Sequence, residues 1–229
     1  MIIRDFISRI RSKIVPVDKV LITFDTPGYI LNLNLFGLGL VIKQLDFRKT
    51  FYNARLVHVD GKGAGLILWL LLGDTFRPCG YRQWAPELFE KSKSKKIFFL
   101  GGTELENGRA ISNVLSAYNH LSVDGINGYA SRLIITEKLI NADPDLIFVG
   151  MGMPKQELLI EELSADFPNK TFFACGGWIK QLAGLEKNCP KVMSYIGLEW
   201  LYRSFARSGH LTSRVVNPAL LVLVDLLRR

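Results

Sequence analysis

From Lys95 onward the hydrophobic pattern alternates between two kinds of segment. The apolar runs Lys96–Leu100, Asp145–Val149 and Thr171–Ala174 are short and rich in Phe, Ile and Val, as strands buried on both faces are. Between them residues 104–119, Ser131–Ala142 and Lys155–Phe167 read as helices. Leu121–Val123 reads as a further short strand, followed by a loop over Asp124–Tyr129. Upstream, Lys19–Phe24 alternates polar and apolar positions into a turn at Thr26-Pro27-Gly28, and Tyr29–Leu35 reads as a strand. Residues 37–54 read as helix, Arg55–Val59 as a β-branched strand ending at Asp60-Gly61, and Gly63–Leu72 as helix, with the periodicity broken around Pro78 and Gly80.

Strands alternating with helices of ten or more residues imply βαβ units, so the expected fold is an α/β domain with a mostly parallel sheet and helices on both faces. In such sheets the loops leaving the carboxyl ends of the strands form the ligand crevice. Four of those exits carry glycine here: Asp60-Gly61, Gly101-Gly102, Gly150-Met-Gly152 and Gly176-Gly177. That repetition at one edge predicts backbone held close to a ligand, where amide N–H groups and helix N-termini receive phosphate. Just past the Gly150 loop, Lys155, Gln156 and Glu157 stand together as crevice wall. Lys155 and Gln156 are the candidates for holding a ligand there, and Glu157 for orienting them or capping the helix.

The two ends differ from this core. Ile3, Phe6, Ile7, Ile10 and Ile14 recur at helical spacing, with Arg4, Arg9, Arg11 and Lys13 on other faces. That pattern fits either a basic amphipathic helix lying on anionic lipid or a helix packed on its own domain. After Pro190 the chain reads as helices without a further strand, through Leu198–Arg203, Arg207, His210 and Arg214 to an apolar tail from Asn217. The expected organisation is an N-terminal helix over 1–18, an α/β domain over 19–190 and a basic helical appendage over 191–229.

Charge and composition narrow the partners. The formal net charge of +8 favours an anionic partner, and a hydrophobic content of 48% tilts that choice toward a lipid surface. The cations cluster at the two ends beside aliphatic residues rather than in a stripe with aromatics, so nucleic acid is not expected. Cys79, Cys175 and Cys189 form no CxxC pair, which fits a reducing cytosol better than a disulfide framework. The apolar run Ala64–Gly73 is about half the roughly 20 residues a membrane-spanning helix needs, and the first residues lack the pattern of a secretory signal.

Familiar cofactor motifs fit poorly. Gly150-Met-Gly152 follows a strand, but Lys155 occupies the place of the third glycine of a dinucleotide fingerprint, and no P-loop sequence is present. His58, His120 and His210 are scattered without carboxylates at ligand spacing, so no metal is expected. Asp143-Pro-Asp145 precedes its strand, which sets it on the order of 15 Å from the crevice, and reads as a turn. Asp60 remains: a carboxylate leaving a strand at the functional edge is able to take a proton from an attacking hydroxyl, or to serve as a turn or capping residue. His58, two residues earlier, reads as a core histidine.

The constellation resembles one family, the WecG/TagA/CpsF glycosyltransferases of bacterial surface polysaccharides. The resemblance runs from Tyr29 to the C-terminus and rests on Asn32-Leu-Asn34, Asp60-Gly61, Arg77-Pro-Cys-Gly80, Phe99-Leu-Gly-Gly102, Asp145 through Glu157, Gly176-Gly177, Ala183-Gly184 and Gly197-Leu-Glu-Trp-Leu-Tyr-Arg203. It implies a Rossmann-like core and an inverting transfer without a required metal or other cofactor. The sugar, often N-acetylmannosamine, would pass from a UDP-sugar to an undecaprenyl-diphosphate-linked saccharide at the cytoplasmic membrane face, with the appendage meeting an anionic membrane surface. Residue by residue, the resemblance implies Asp60 as general base, Asn32, Asn34 and Arg77 as pocket residues that bind substrate, and Arg203 and Arg214 as appendage arginines suited to diphosphate. The glycines Gly101, Gly102, Gly150, Gly152, Gly176 and Gly177, together with Lys155, Gln156 and Glu157, would line the substrate site. Asn32 stands where Thr is usual, Lys180 alters the charge near the crevice, Asn188-Cys-Pro190 replaces a common Arg-Ala-Pro, and His210 stands in place of an arginine. Those departures leave open a catalytically silent member that binds nucleotide sugar or membrane in an assembly complex. The sugar, the acceptor and homo-oligomerisation are also left open.

Overall fold

The computed structural model describes residues 2–185 and 212–228. Six strands form one sheet in the order β2-β1-β6-β5-β3-β4, and every neighbouring pair is parallel. The strands are β1 (Gly28–Leu33), β2 (Leu56–Val59), β3 (Lys96–Gly101), β4 (Ser122–Ile126), β5 (Leu146–Gly150) and β6 (Thr171–Ala174). The helices are α1 (Ile2–Ile10), α2 (Val17–Ile22), α3 (Leu35–Lys43), α4 (Leu45–Asn53), α5 (Lys62–Leu72), α6 (Tyr81–Lys91), α7 (Glu104–Ala117), α8 (Arg132–Ala142), α9 (Lys155–Asp166), α10 (Trp178–Leu182) and α11 (Asn217–Leu227).

The period-two alternation of each strand divides the core in two. Leu31, Leu33, Val57, Val59, Ile147, Val149 and Phe172 face α1, α3, α4, α5, α9 and α11. Ile30, Phe99, Phe148 and Phe173 face α2, α6, α7 and α10. The apolar runs of the sequence are therefore continuous because both faces are covered. On the second face Phe148 and Phe173 stack at 4.7 Å between ring centroids, and Trp178 stacks on Tyr81 at 5.1 Å.

Four readings change or are settled. Of the two alternatives left open for the apolar stripe of α1, packing on its own domain is the one observed: Ile3, Phe6, Ile7 and Ile10 are buried in the core. The Asp225 carboxylate of α11 accepts hydrogen bonds from the Ile2 and Ile3 amides at 3.1 and 2.8 Å, satisfying otherwise orphaned donors at the start of α1. Residues 17–22 are helix, because a segment this short matches both periods and burying Val20, Leu21 and Phe24 against α6 decides between them. The helix predicted over 37–54 is broken at Gln44, whose backbone is extended. The fourth change is α6, which burial of Tyr81, Trp84, Ala85, Leu88 and Phe89 makes amphipathic although Pro86 lies inside it.

Among the described residues no helix is long and apolar enough to cross a membrane. The expectations placed on Asn188 through Pro190, Gly197 through Arg203, Arg207 and His210 lie outside the described residues.

Candidate active site at the carboxyl edge of the sheet

An all-parallel sheet delivers every strand exit to one edge, and α3, α5, α7, α9 and α10 begin there with the positive ends of their dipoles toward it. At the exit of β1 the Asn34 side chain caps α3, its Oδ1 accepting from the Gly37 amide at 2.8 Å. At the neighbouring exit the Asp60 amide donates to the Leu33 carbonyl at 3.0 Å, so β1 and β2 remain paired up to the carboxylate. Asp60 is half-buried, and the N-cap of α5 falls on Gly61 rather than on it.

The irregular segment before α6 returns to this point. The Cys79 amide donates to the Val59 carbonyl at 3.2 Å, and a Cβ on Gly80 would lie 3.6 Å from Asp60 Oδ1. Arg77 stands two residues before Cys79, the residue bonded to the last residue of β2, and is exposed. Burial first, then the charge of Asp60, raises the Cys79 thiol. The Tyr81 hydroxyl is pushed well above its ordinary range by burial and then by Cys175, Asp60 and Glu157.

The glycines serve two purposes. A Cβ on Gly101 would meet the Gly150 carbonyl oxygen at 2.3 Å, and one on Gly150 would meet that of Gly176 at 2.6 Å, so these two permit the ends of β3, β5 and β6 to close together. Gly152 and Gly176 instead have φ of 80° and 57° with nothing within 4 Å of an added Cβ. They turn the backbone beside open space, as does the neighbouring Gly177, while Gly102 turns into α7.

The Lys-Gln-Glu cluster divides by depth. Lys155 is exposed and its Nζ donates to the Gly128 carbonyl at 3.3 Å, joining the β4–α8 loop to α9. Gln156 and Glu157 are not crevice wall but lie beneath it, 1% and 0% exposed. Gln156 Oε1 accepts from the amides of Gly152 at 3.0 Å and Gly176 at 3.1 Å, and its Nε2 donates to Glu157 Oε1 at 2.7 Å. Burial pushes the Glu157 carboxyl up to about 7.

Other expected residues take definite places. Asn32 is buried on β1 in register with His58 on β2, and its Oδ1 has no partner among the described residues. His58 is a core residue packed edge-on against the Tyr81 and Trp84 rings at 5.7 and 5.8 Å, and burial pushes it down to about 4. Arg214 lies with its guanidinium 4.8 Å over the ring of Phe36, in the first turn of α3 and two residues after the Asn34 cap. Lys180 pairs with Glu106 at 3.1 Å, so the charge that sets this sequence apart is partly neutralised by α7. Asp145 accepts from the Lys96 amide at 2.8 Å at the opposite edge of the sheet, consistent with the turn reading of Asp143-Pro-Asp145.

Sequence reasoning missed the clamp made by Gln156, the burial of Glu157 and the Arg214–Phe36 contact. The first had half a signal, in the adjacency of Gln156 to the Gly150-Met-Gly152 loop; its second partner, Gly176, lies 20 residues further along the chain. The last joins distant parts of the chain and had none.

Comparison with known proteins bears on this arrangement. The model of the Glycosyl transferase WecG/TagA/CpsF family matches residues 12–229. An N-acetylglucosaminyldiphosphoundecaprenol N-acetyl-beta-D-mannosaminyltransferase of Bacillus subtilis (strain 168) is 28% identical over 166 residues, covering 71% of this chain and 65% of that protein. The protein of the same name from Staphylococcus aureus (strain MRSA252) is 34% identical over 125 residues, covering 52% and 49%. The aligned region therefore spans 49% to 65% of the length of these relatives. With the family model covering nearly the whole chain, over a parallel α/β sheet whose exits carry Asn34, Asp60 and the glycine loops, the chain belongs to the WecG/TagA/CpsF glycosyltransferase family.

Proposed function

We propose that the chain transfers a hexose, N-acetylmannosamine or a close relative, from a UDP-sugar to a polyprenyl-diphosphate-linked saccharide with inversion at the anomeric carbon. The observation that carries this reading is Asp60, at a strand exit flanked by helix N-termini and open glycine turns. Asp60 takes the proton of the acceptor hydroxyl as its oxygen bonds to the anomeric carbon. The bond from that carbon to the UDP oxygen breaks, and UDP leaves with the electron pair. Helix N-termini, Arg77, Arg214 and Arg203 offset the charge that develops on UDP. The family and the printed activity of the relatives support a lipid-linked acceptor. No step of this scheme uses a metal.

The test is a panel of UDP-sugars incubated with the protein and polyprenyl-diphosphate N-acetylglucosamine in excess EDTA, with products read by mass. One donor is expected to give a product heavier by one sugar. UDP binding without turnover across the panel would instead favour the silent binding member, whose main motivation, the unusual Lys180, is weakened by its pairing with Glu106.

The same reading has the protein working as a peripheral protein at the cytoplasmic face of the membrane. It is supported by the exposed stripe Leu66, Trp69 and Leu70 on α5 and by exposed Leu220, Leu223, Val224 and Leu227 on α11, with the net charge of +8. Co-sedimentation with liposomes is expected to need anionic lipid, to weaken with salt, and to drop at least severalfold when residues after Leu198 are removed. Undiminished binding by the truncated protein would remove the appendage from this role.

A further inference from the structure

The loops after β5 and β6 turn beside open space at the centre of the carboxyl edge, yet their backbones have no strand ladder to hold them once the strands end. One side chain joins them. Gln156 Oε1 receives both the Gly152 and the Gly176 amide, one from each loop. This works only with the amide group in one orientation, since the reverse would aim an NH2 at two N–H donors. What fixes the orientation is the acceptor on the other side, Glu157 Oε1, 2.7 Å from Gln156 Nε2 and removed from solvent.

We propose that Glu157 is a positioning residue: from beneath the crevice it locks the Gln156 amide so that Gln156 staples the β5–α9 and β6–α10 loops at the separation a nucleotide diphosphate requires. That the stapled loops receive the diphosphate rests on the function proposed above, whereas the staple itself rests on the hydrogen bonds. Its chemistry explains an otherwise costly choice. Burial of the Glu157 carboxyl is offset in part by the hydrogen bond that its Oε1 accepts from Gln156 Nε2, which also keeps the amide from rotating. Glu157 acts through Gln156 and touches no reacting atom.

Hydrogen exchange of the intact protein, read on peptides spanning residues 150–157 and 174–178, tests the staple without reference to turnover. Glu157→Met removes the acceptor and is expected to speed exchange at the Gly152 and Gly176 amides about tenfold, with both loops affected together. Glu157→Gln keeps an acceptor oxygen and is expected to restore protection to within about threefold of the parent. Gln156→Met should open the same two peptides, and it supplies the comparison if Glu157→Met does not fold. Unchanged exchange in both loops for Glu157→Met or Gln156→Met, or an equal increase in Glu157→Gln, would overturn the proposal. Addition of UDP to the parent separates the two readings: added protection of these peptides supports their role at the diphosphate, and its absence overturns that role while leaving the staple to be judged by the variants alone.

Discussion

Replacing Asp60 by Asn is expected to slow sugar transfer by roughly a hundredfold to ten-thousandfold, the usual range for loss of a general base, while UDP affinity stays within about threefold of the parent. Asn has nearly the same shape and still forms hydrogen bonds, but it does not take a proton from the acceptor hydroxyl. The backbone contact that sets the residue in place, from the Asp60 amide to the Leu33 carbonyl, is untouched by the change. Loss should therefore fall on kcat rather than on donor binding. A variant transferring at the parent rate would remove Asp60 from the mechanism. One that loses UDP binding to the same degree would make Asp60 a binding residue.

Stability is expected to depend on pH through two buried groups that act in opposite senses. Glu157 titrates at about 7 in the folded chain against an ordinary 4.5, because burial penalises its charge. The unfolded chain loses this proton first, so the contribution is fully present below pH 4.5 and is lost as pH rises to about 7, on the order of 3 kcal/mol over that interval. His58 is lowered to about 4 from 6.5, so it contributes stability above 6.5 that is lost as pH falls to about 4, by a similar amount. Between about 4.5 and 6.5 the two slopes oppose each other. Urea unfolding of Glu157→Gln beside the parent should show the variant gaining about 3 kcal/mol relative to it between pH 4.5 and 7. His58→Leu should gain a similar amount in the other direction, as pH falls from 6.5 to 4. Parallel curves for Glu157→Gln and the parent would contradict the buried-acid description of Glu157.

The strands were legible because a parallel sheet covered on both faces writes itself as unbroken apolar runs, as in residues 97–100 and 146–149. With them came the edge on which Asn34, Asp60 and the glycine exits gather, since parallel strands leave at the same end. The helices were less evenly readable. The interior Pro86 obscured α6, whose burial pattern is otherwise regular, and the six residues of α2 are too few to separate a period of 2 from one of 3.6. The apolar stripe of α1 was plain, but periodicity states only that a face is covered, and whether lipid or protein covers it depends on α3, α4 and α11 arriving there.

At the site, residue types marked the loops at the carboxyl edge of the sheet but not the contacts these loops make. Which glycines close strand ends and which border open space depends on β5 lying between β3 and β6, a matter of strand order rather than local sequence. The depth of Gln156 and Glu157 has the same origin, because the β6–α10 loop that covers them follows later in the chain. Arg214 could be assigned to the appendage, but its seat on Phe36 beside the Asn34 cap is a tertiary contact.

The proposed transfer is a single displacement at the anomeric carbon with Asp60 as base. The anomeric configuration of the product, determined by proton NMR after transfer from an α-linked UDP-sugar, tests it most directly. A β-linked sugar is expected. An α-linked product would mean retention, by two successive displacements or by attack on the face that UDP leaves, and would contradict a single in-line displacement.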